Sequence, residues 1–187
     1  IIYWLKMKKN KLKEGTLLLS IPLIEDERFD KTVIIITKTT EKEKIGFIIN
    51  KKTNTKLHQL IPQINDKKIT TYCGGPVSKD NLFFFHKNKS IEKCQKISKD
   101  IYFGGNFNQI IEYINCNLIS PNEIFFCLGY CGWGENQLER EIKEKSWIII
   151  NEQIDFISDN VNWKRKIIDF DKKYKLWANS NRNFHLN

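Results

Sequence analysis

Asp80, His86 and three glycine clusters are the residues in this chain whose types and spacing could do chemistry. Asp80 opens and His86 closes the segment DNLFFFH, whose aromatic run reads as a strand. A histidine and an aspartate can serve as general base and orienting partner. No nucleophile accompanies them: Ser78 and Ser90 lack an elbow signature, and nothing beside Cys73 would lower its thiol pKa. A histidine at a strand end is more often a hydrogen-bonded structural residue. His58 and His185 stand isolated. The glycine clusters are CGGPV at 73–77, FGGN at 103–106 and LGYCGWG at 128–134. Each follows an apolar run, so glycine there permits positive φ or close backbone approach. None has the spacing of a dinucleotide fingerprint or a P-loop. The helix after the third cluster begins at Glu135, whose carboxylate would repel an incoming phosphate. Tight structural turns are therefore the first reading, and a ligand loop the second.

The third cluster holds most of the pattern. Gly129, Gly132 and Gly134 would let a buried strand bend into a helix, with Tyr130 and Trp133 covering the bend. Two capping frames fit the start of that helix, Asn136 with Glu139 and Gly134 with Gln137. The cysteines at 73, 94, 116, 127 and 131 include no pair two residues apart. Cys127 and Cys131 have no second pair or nearby histidine to complete four zinc ligands. They read as small apolar residues in a reducing compartment, with no metal and no cofactor expected.

Composition bounds the partners. The net charge is +9, which invites a nucleic-acid reading. Of the 31 basic residues, however, only Arg28, Arg140, Arg165 and Arg182 are arginine, the usual bidentate reader of phosphate and guanine. The lysines are spread along the whole chain, as a coding sequence drifting towards A and T would place them. No window holds eighteen apolar residues, so no membrane-spanning helix is expected, and no membrane partner. The apolar start IIYWL precedes a basic run, the reverse of a signal peptide's order. Met7 is the sole methionine and a candidate start. Residues 1–6 are then either outside the native protein or a frayed end.

Elements that could position these residues follow from periodicity. GTLLLSI (15–21), TVIIITK (32–38) and IGFIIN (45–50) read as strands, with Gly46 at a bulge or close neighbour. Asn54 or Thr55 would cap a short helix ending by Pro62. KITTYCGGPV, NLFFFHK (81–87), IYFGGN, NEIFFCLGY and WIIIN read as further strands, and SIEKCQKI as an edge strand or irregular chain. Helices are expected over NFNQIIEYINCN (106–117, N-cap Asn106), over ENQLEREIKEK with Leu138 and Ile142 inward, and over VNWKRKIIDF. Strands outnumber helices and three precede any long helix, which argues for α+β over a doubly wound sheet. The expected organisation is a flexible extension (1–14), a single domain (15–170) and a polar tail (171–187) with two aromatic anchors.

Five segments taken in order carry a resemblance. GTLLLSIPLIEDERFDKTVIII, GFIIN, GGPVSKDNLFFFH, YFGGN and FFCLGYCGWGENQLEREI together resemble the AlgH/YqgE family of bacterial proteins, from about Gly15 to the last helix. The tail YKLWANSNRNFHLN resembles that of its Bacteroidetes-type members. The chain departs from the family at Lys52, where a proline is usual, and at Asn106, where an aspartate is. Lys31 and Thr32 stand where Arg-Ser is favoured. Asparagine at 106 keeps the capping chemistry. The resemblance implies a cytoplasmic α+β domain with a curved, partly barrel-like, mixed or antiparallel sheet and flanking helices. It implies no known reaction; members are called uncharacterised, or transcriptional regulators on genetic grounds.

The first functional reading is a non-enzymatic protein acting through an unidentified protein partner, possible in gene regulation, with the glycine turns, Tyr130, Trp133, Gln137 and Glu139 as its surface. A small-molecule or nucleotide enzyme is the alternative, using strand ends around Gly74, Gly75, Asp80, His86, Gly104 and Gly105 in one concave pocket. Direct nucleic-acid binding is third, weakened by the absence of a helix-turn-helix pattern.

Overall fold

The structure is a computed structural model that describes residues 12–179. The expectations for residues 1–11 and for the end of the tail, 180–187, lie outside the described residues. The strands are β1 Leu17–Ser20, β2 Val33–Thr39, β3 Lys44–Ile48, β4 Lys52–Lys56 and β5 Thr70–Cys73. They continue with β6 Val77–His86, β7 Gln95–Lys96, β8 Tyr102–Phe103, β9 Ile124–Trp133 and β10 Trp147–Ile150. The helices are α1 Leu57–Leu60, α2 Phe107–Asn115, α3 Gln137–Lys143, α4 Trp163–Phe170 and α5 Lys175–Asn179. Short 3-10 turns cover Glu27–Phe29 and Lys172–Tyr174.

All ten strands join one curled sheet in the order β10-β1-β2-β3-β9-β6-β8-β7, with β5 also on β9 and β4 on β5. Pairing is antiparallel except where β5 runs parallel to β9. Strand β9 is the hub. It carries β5 against Phe126–Leu128, β3 against Cys131–Trp133, and β6 along most of its length. The architecture is α+β in a single domain, as expected.

Apolar runs such as LLL, VIII and WIII are continuous, not alternating, because both faces of the sheet are covered. On one face Leu17, Leu19, Val33, Ile35 and Phe47 meet Phe156, Trp163 and Ile167, which belong to α4 and the segment before it. On the other, Leu18, Ile34, Ile36 and Ile48 meet Leu138 of α3 and the indoles of Trp133 and Trp147. A third cluster seats α1 and α2 on Phe84 and Phe126. Helix α2 starts where expected: the Asn106 carboxamide oxygen accepts the Gln109 N–H at 3.2 Å.

Three local readings differ. The polar stretch KTNTK is strand β4, not a cap, and α1 starts only after Lys56. Its alternative partner decides this: Lys52 and Lys56 pair with Tyr72 and Thr70 of β5, and the Thr53 and Thr71 hydroxyls lie 2.7 Å apart. Strand β6 begins four residues earlier than expected, because Val77 pairs with Tyr130 before the chain bulges out and rejoins at Leu82. Strand β9 continues past Tyr130 through Gly132 to Trp133, with Gly129 inside it at φ 72°.

Candidate functional site

Helix α3 and the ends of β9 and β10 converge on one carboxylate. Oε2 of Glu141 accepts the indole N–H of Trp133 at 2.9 Å and that of Trp147 at 2.7 Å. Its Oε1 accepts the Gln137 amide N–H at 2.9 Å, one helical turn back. Oε1 of Gln137 in turn accepts the Gly134 N–H at 3.0 Å. The Gly134–Gln137 capping frame thus forms in part, whereas Asn136 sits at φ 55° with no side-chain cap bond. A buried indole needs a partner for its N–H, and an anionic acceptor makes the stronger bond. The two rings meet edge to face, centroids 6.1 Å apart. Trp133 is thereby placed inside, 4% exposed, and not on the surface, because the helix that follows covers it.

A cleft of about 360 Å³ opens above this arrangement. The Glu27–Phe29 turn forms its far wall. Asp26 caps that turn and holds Arg28 through a two-point contact, Nε–Oδ1 2.9 Å and Nη2–Oδ2 2.6 Å. Phe29 stands edge-on to Trp147, 5.4 Å between centroids. Pro76 and Val77 close one end, and Glu144 lies on the α3 side. Glu25, Asp26, Glu141 and Glu144 face the cleft with Arg28 as its single cationic side chain. Neither Glu25 nor Glu144 makes a side-chain ion pair among the described residues. Two residues adjacent in sequence to lining residues have positive φ, Leu23 before Ile24 at 62° and Ser78 after Val77 at 49°.

The remaining sequence candidates are placed elsewhere. Gly74 and Gly75 pass directly over β9. The Gly74 N–H donates to the Leu128 carbonyl at 2.7 Å, and its own carbonyl accepts the Ile48 N–H at 2.8 Å. A Cβ on Gly74 would lie 2.3 Å from the Gly129 carbonyl oxygen. One on Gly129, at φ +72°, would lie 2.5 Å from that of Gly75. Backbone fills the space between these glycines. Tyr130 leans into the core against Phe47 and Phe83. Glu139 points away from the cleft to the Lys44 ammonium at 2.6 Å, whose side chain is 7% exposed.

His86, Gly104 and Gly105 are brought together at the far end of β6. The His86 ring is fully buried, stacked on Tyr102, with Nε2 2.9 Å from the Gly104 carbonyl and no hydrogen-bond partner at Nδ1. Burial lowers its pKa, and the Gly104 and Asn88 backbone groups oppose that in part. Asp80 is not beside it. Asp80 lies in the exposed bulge that ends at Leu82, and His86 follows four strand residues later, about 13 Å along β6. Cys127 and Cys131 are buried free thiols whose pKa values burial raises strongly. No group of three His, Cys, Asp or Glu side chains among the described residues could hold a metal ion.

Glu141 and the acidic wall escaped the sequence reading. The available signal was Gln137 and Glu141 one turn apart, between two tryptophans whose indole N–H groups need an acceptor once buried.

The profile of the family described as DUF179, AlgH-like, matches residues 17–183. The chain belongs to this family. AlgH-like relatives include a UPF0301 protein of Chlorobium limicola, 33% identical over 175 residues, covering 91% of this chain and 94% of the relative. A UPF0301 protein of Parabacteroides distasonis is 33% identical over 180 residues, covering 93% and 91%. Among solved structures, a Corynebacterium diphtheriae protein superposes with a TM-score of 0.75 at 18% identity, covering 96% of this chain and 97% of its own. The solution structure of AlgH from Pseudomonas aeruginosa gives 0.68 at 20% identity, covering 92% and 94%. At such identities the two structures speak for the AlgH-like fold alone. No helix among the described residues is long and apolar enough to cross a membrane.

Proposed function

We propose that this AlgH-like protein works by binding, and that the cleft between the Glu27–Phe29 turn and α3 receives a basic segment of a protein partner. One observation carries the reading: in a chain of net charge +9, this concavity is lined by four carboxylates and one cation. A local field opposite in sign to the whole molecule selects for a cationic segment that the rest of the surface repels. Ile24, Phe29 and Val77 offer apolar contact beside the carboxylates, and Val77 is 38% exposed. The regulatory role implied by the family resemblance would then pass through that partner and not through direct contact with nucleic acid.

A photo-crosslinking residue at Val77, expressed in the native cell, should trap one defined polypeptide. The same group at Lys89, away from the cleft, should not. The double change Glu25→Lys with Glu144→Lys should abolish the adduct while leaving the melting temperature unchanged. An adduct that survives charge reversal, or that forms equally from position 89, would remove the cleft as the docking surface.

A further inference from the structure

A second concavity, of about 280 Å³, lies between β5 and the segment 157–160, and its walls come entirely from residues 52–160. Thr70 and Tyr72 line it from β5, and Lys52 stands across from Tyr72 on β4. The Tyr72 ring lies against Phe125, centroids 4.2 Å apart, with the Lys52 ammonium 5.9 Å from its centre. The outer wall is fixed in place. The Ser158 hydroxyl donates to the Asn122 carbonyl at 3.1 Å, and the Lys87 ammonium bonds both that hydroxyl and the Asp155 carboxylate. A serine beside a lysine can form a nucleophile and its base. Here the lysine is ion-paired and the hydroxyl already donates, so the contact holds the wall.

Donors without acceptors gather on this surface. Lys52, Lys68 and Asn160 make no side-chain hydrogen bond or ion pair, and the Tyr72 hydroxyl no hydrogen bond, among the described residues. The Asn122 amide oxygen accepts from Ser120 at 2.6 Å, and its amide nitrogen is unengaged among the described residues. Burial raises the Tyr72 pKa, so its hydroxyl keeps its proton. Among the described residues, Asp159 is the only carboxylate on the wall.

We propose that this concavity binds a small organic phosphomonoester. The phosphoryl group is met by the Lys52 and Lys68 ammonium groups, with the Tyr72 hydroxyl and the asparagine amides as further donors. A lysine meets a phosphate as a point charge, without the planar fork that favours carboxylate. A phosphomonoester also presents three free oxygens, which suits a set of donors this large better than the two of a carboxylate. Ile69, Ile124 and Ile157 form apolar wall beside the donors. An inorganic anion would leave that wall to water, whereas the carbon skeleton of an ester covers it. The volume stands at the lower end of the range for small-molecule sites, enough for a phosphosugar or a nucleoside monophosphate and too little for a dinucleotide.

The test titrates the whole chain by calorimetry at physiological salt. The probes are ribose 5-phosphate and adenosine 5′-monophosphate, each beside its unphosphorylated parent, and orthophosphate alone. At least one ester should bind roughly tenfold more tightly than its parent and than orthophosphate. Lys52→Gln and Lys68→Gln should each weaken that binding on the order of tenfold, and Tyr72→Phe by roughly fivefold. Asp159→Asn should tighten it by about threefold, because a like charge leaves the wall. Lys42→Gln removes the same charge from the exposed turn between β2 and β3 and should change nothing. Lys52, Lys68 and Asp159 are exposed, so thermal melting should not move with their substitution. The proposal fails if neither ester binds at millimolar concentration, if parent and ester bind alike, or if orthophosphate matches the esters. It fails equally if Lys42→Gln weakens binding as much as Lys52→Gln, which would reduce the effect to net charge. A single-stranded oligonucleotide that binds more tightly than either ester, with the same dependence on Lys52 and Lys68, would replace the small molecule with nucleic acid.

Discussion

Glu141 and His86 are polar groups among aromatic rings at opposite ends of the hub strand β9, and the two ends treat them differently. At the Trp133 end, both carboxylate oxygens of Glu141 and the amide oxygen of Gln137 accept hydrogen bonds. At the Ile124 end, His86 bonds Gly104 through one nitrogen and leaves the other unpartnered. The glycines follow the same division. Gly129 and Gly104 have nearly the same positive φ, +72° and +64°, yet a Cβ would strike backbone at the first and open space at the second. The Gly74–Gly129 crossing is locked by mutual contact, whereas the open space at the other end is confined to Gly104, since a Cβ on neighbouring Gly105 would meet Ile91 and the Glu92 carbonyl within 2.8 Å.

That contrast breaks first at the glycines. Gly129→Ala combines left-handed strain with overlap against the Gly75 carbonyl, and should cost about 4 kcal/mol or prevent folding. Gly104→Ala keeps only the strain and should cost about 1–2 kcal/mol, both read by urea unfolding. Equal costs would mean that crowding at Gly129 is not what holds the crossing. Glu141→Ala leaves two buried indole N–H groups without an acceptor and should cost about 3 kcal/mol, with Glu141→Gln near half of that. The smallest effect is a slope. The folded-state pKa of His86 lies below its ordinary value of 6.5, so the unfolded chain takes up the proton first. Stability is therefore full above that pH and declines as pH falls below it, levelling off under the folded pKa. His86→Gln, which keeps a donor for the Gly104 carbonyl, should flatten the denaturation midpoint between pH 5 and 7 on the order of its own contribution.

The strands that hold this arrangement were legible because their faces are uniformly apolar: LLLS, VIIIT and WIII admit little else. Asn106 was legible as a cap, and Leu138 with Ile142 as an inner face, because both signals are local. Strand β4 was not, since KTNTK has no apolar pattern and is a strand only by virtue of β5. The burial of Trp133 was hidden for a related reason. Its environment is set by α3 and by Trp147, fourteen residues on. The cleft was hidden further, because its walls come from residues 24–29, 76–77 and 132–147. Spacing within any one segment carries no trace of the others.

Three strands, β3, β5 and β6, share β9 as their common neighbour, and β9 ends only at Trp133. During synthesis they therefore wait as separate hairpins and edges until that late segment has left the ribosome. Their pairing with β9 comes late and is non-local, which slows folding. A nascent chain halted before Ile124 would expose unpaired strand edges together, and chaperones would have most to hold at that length.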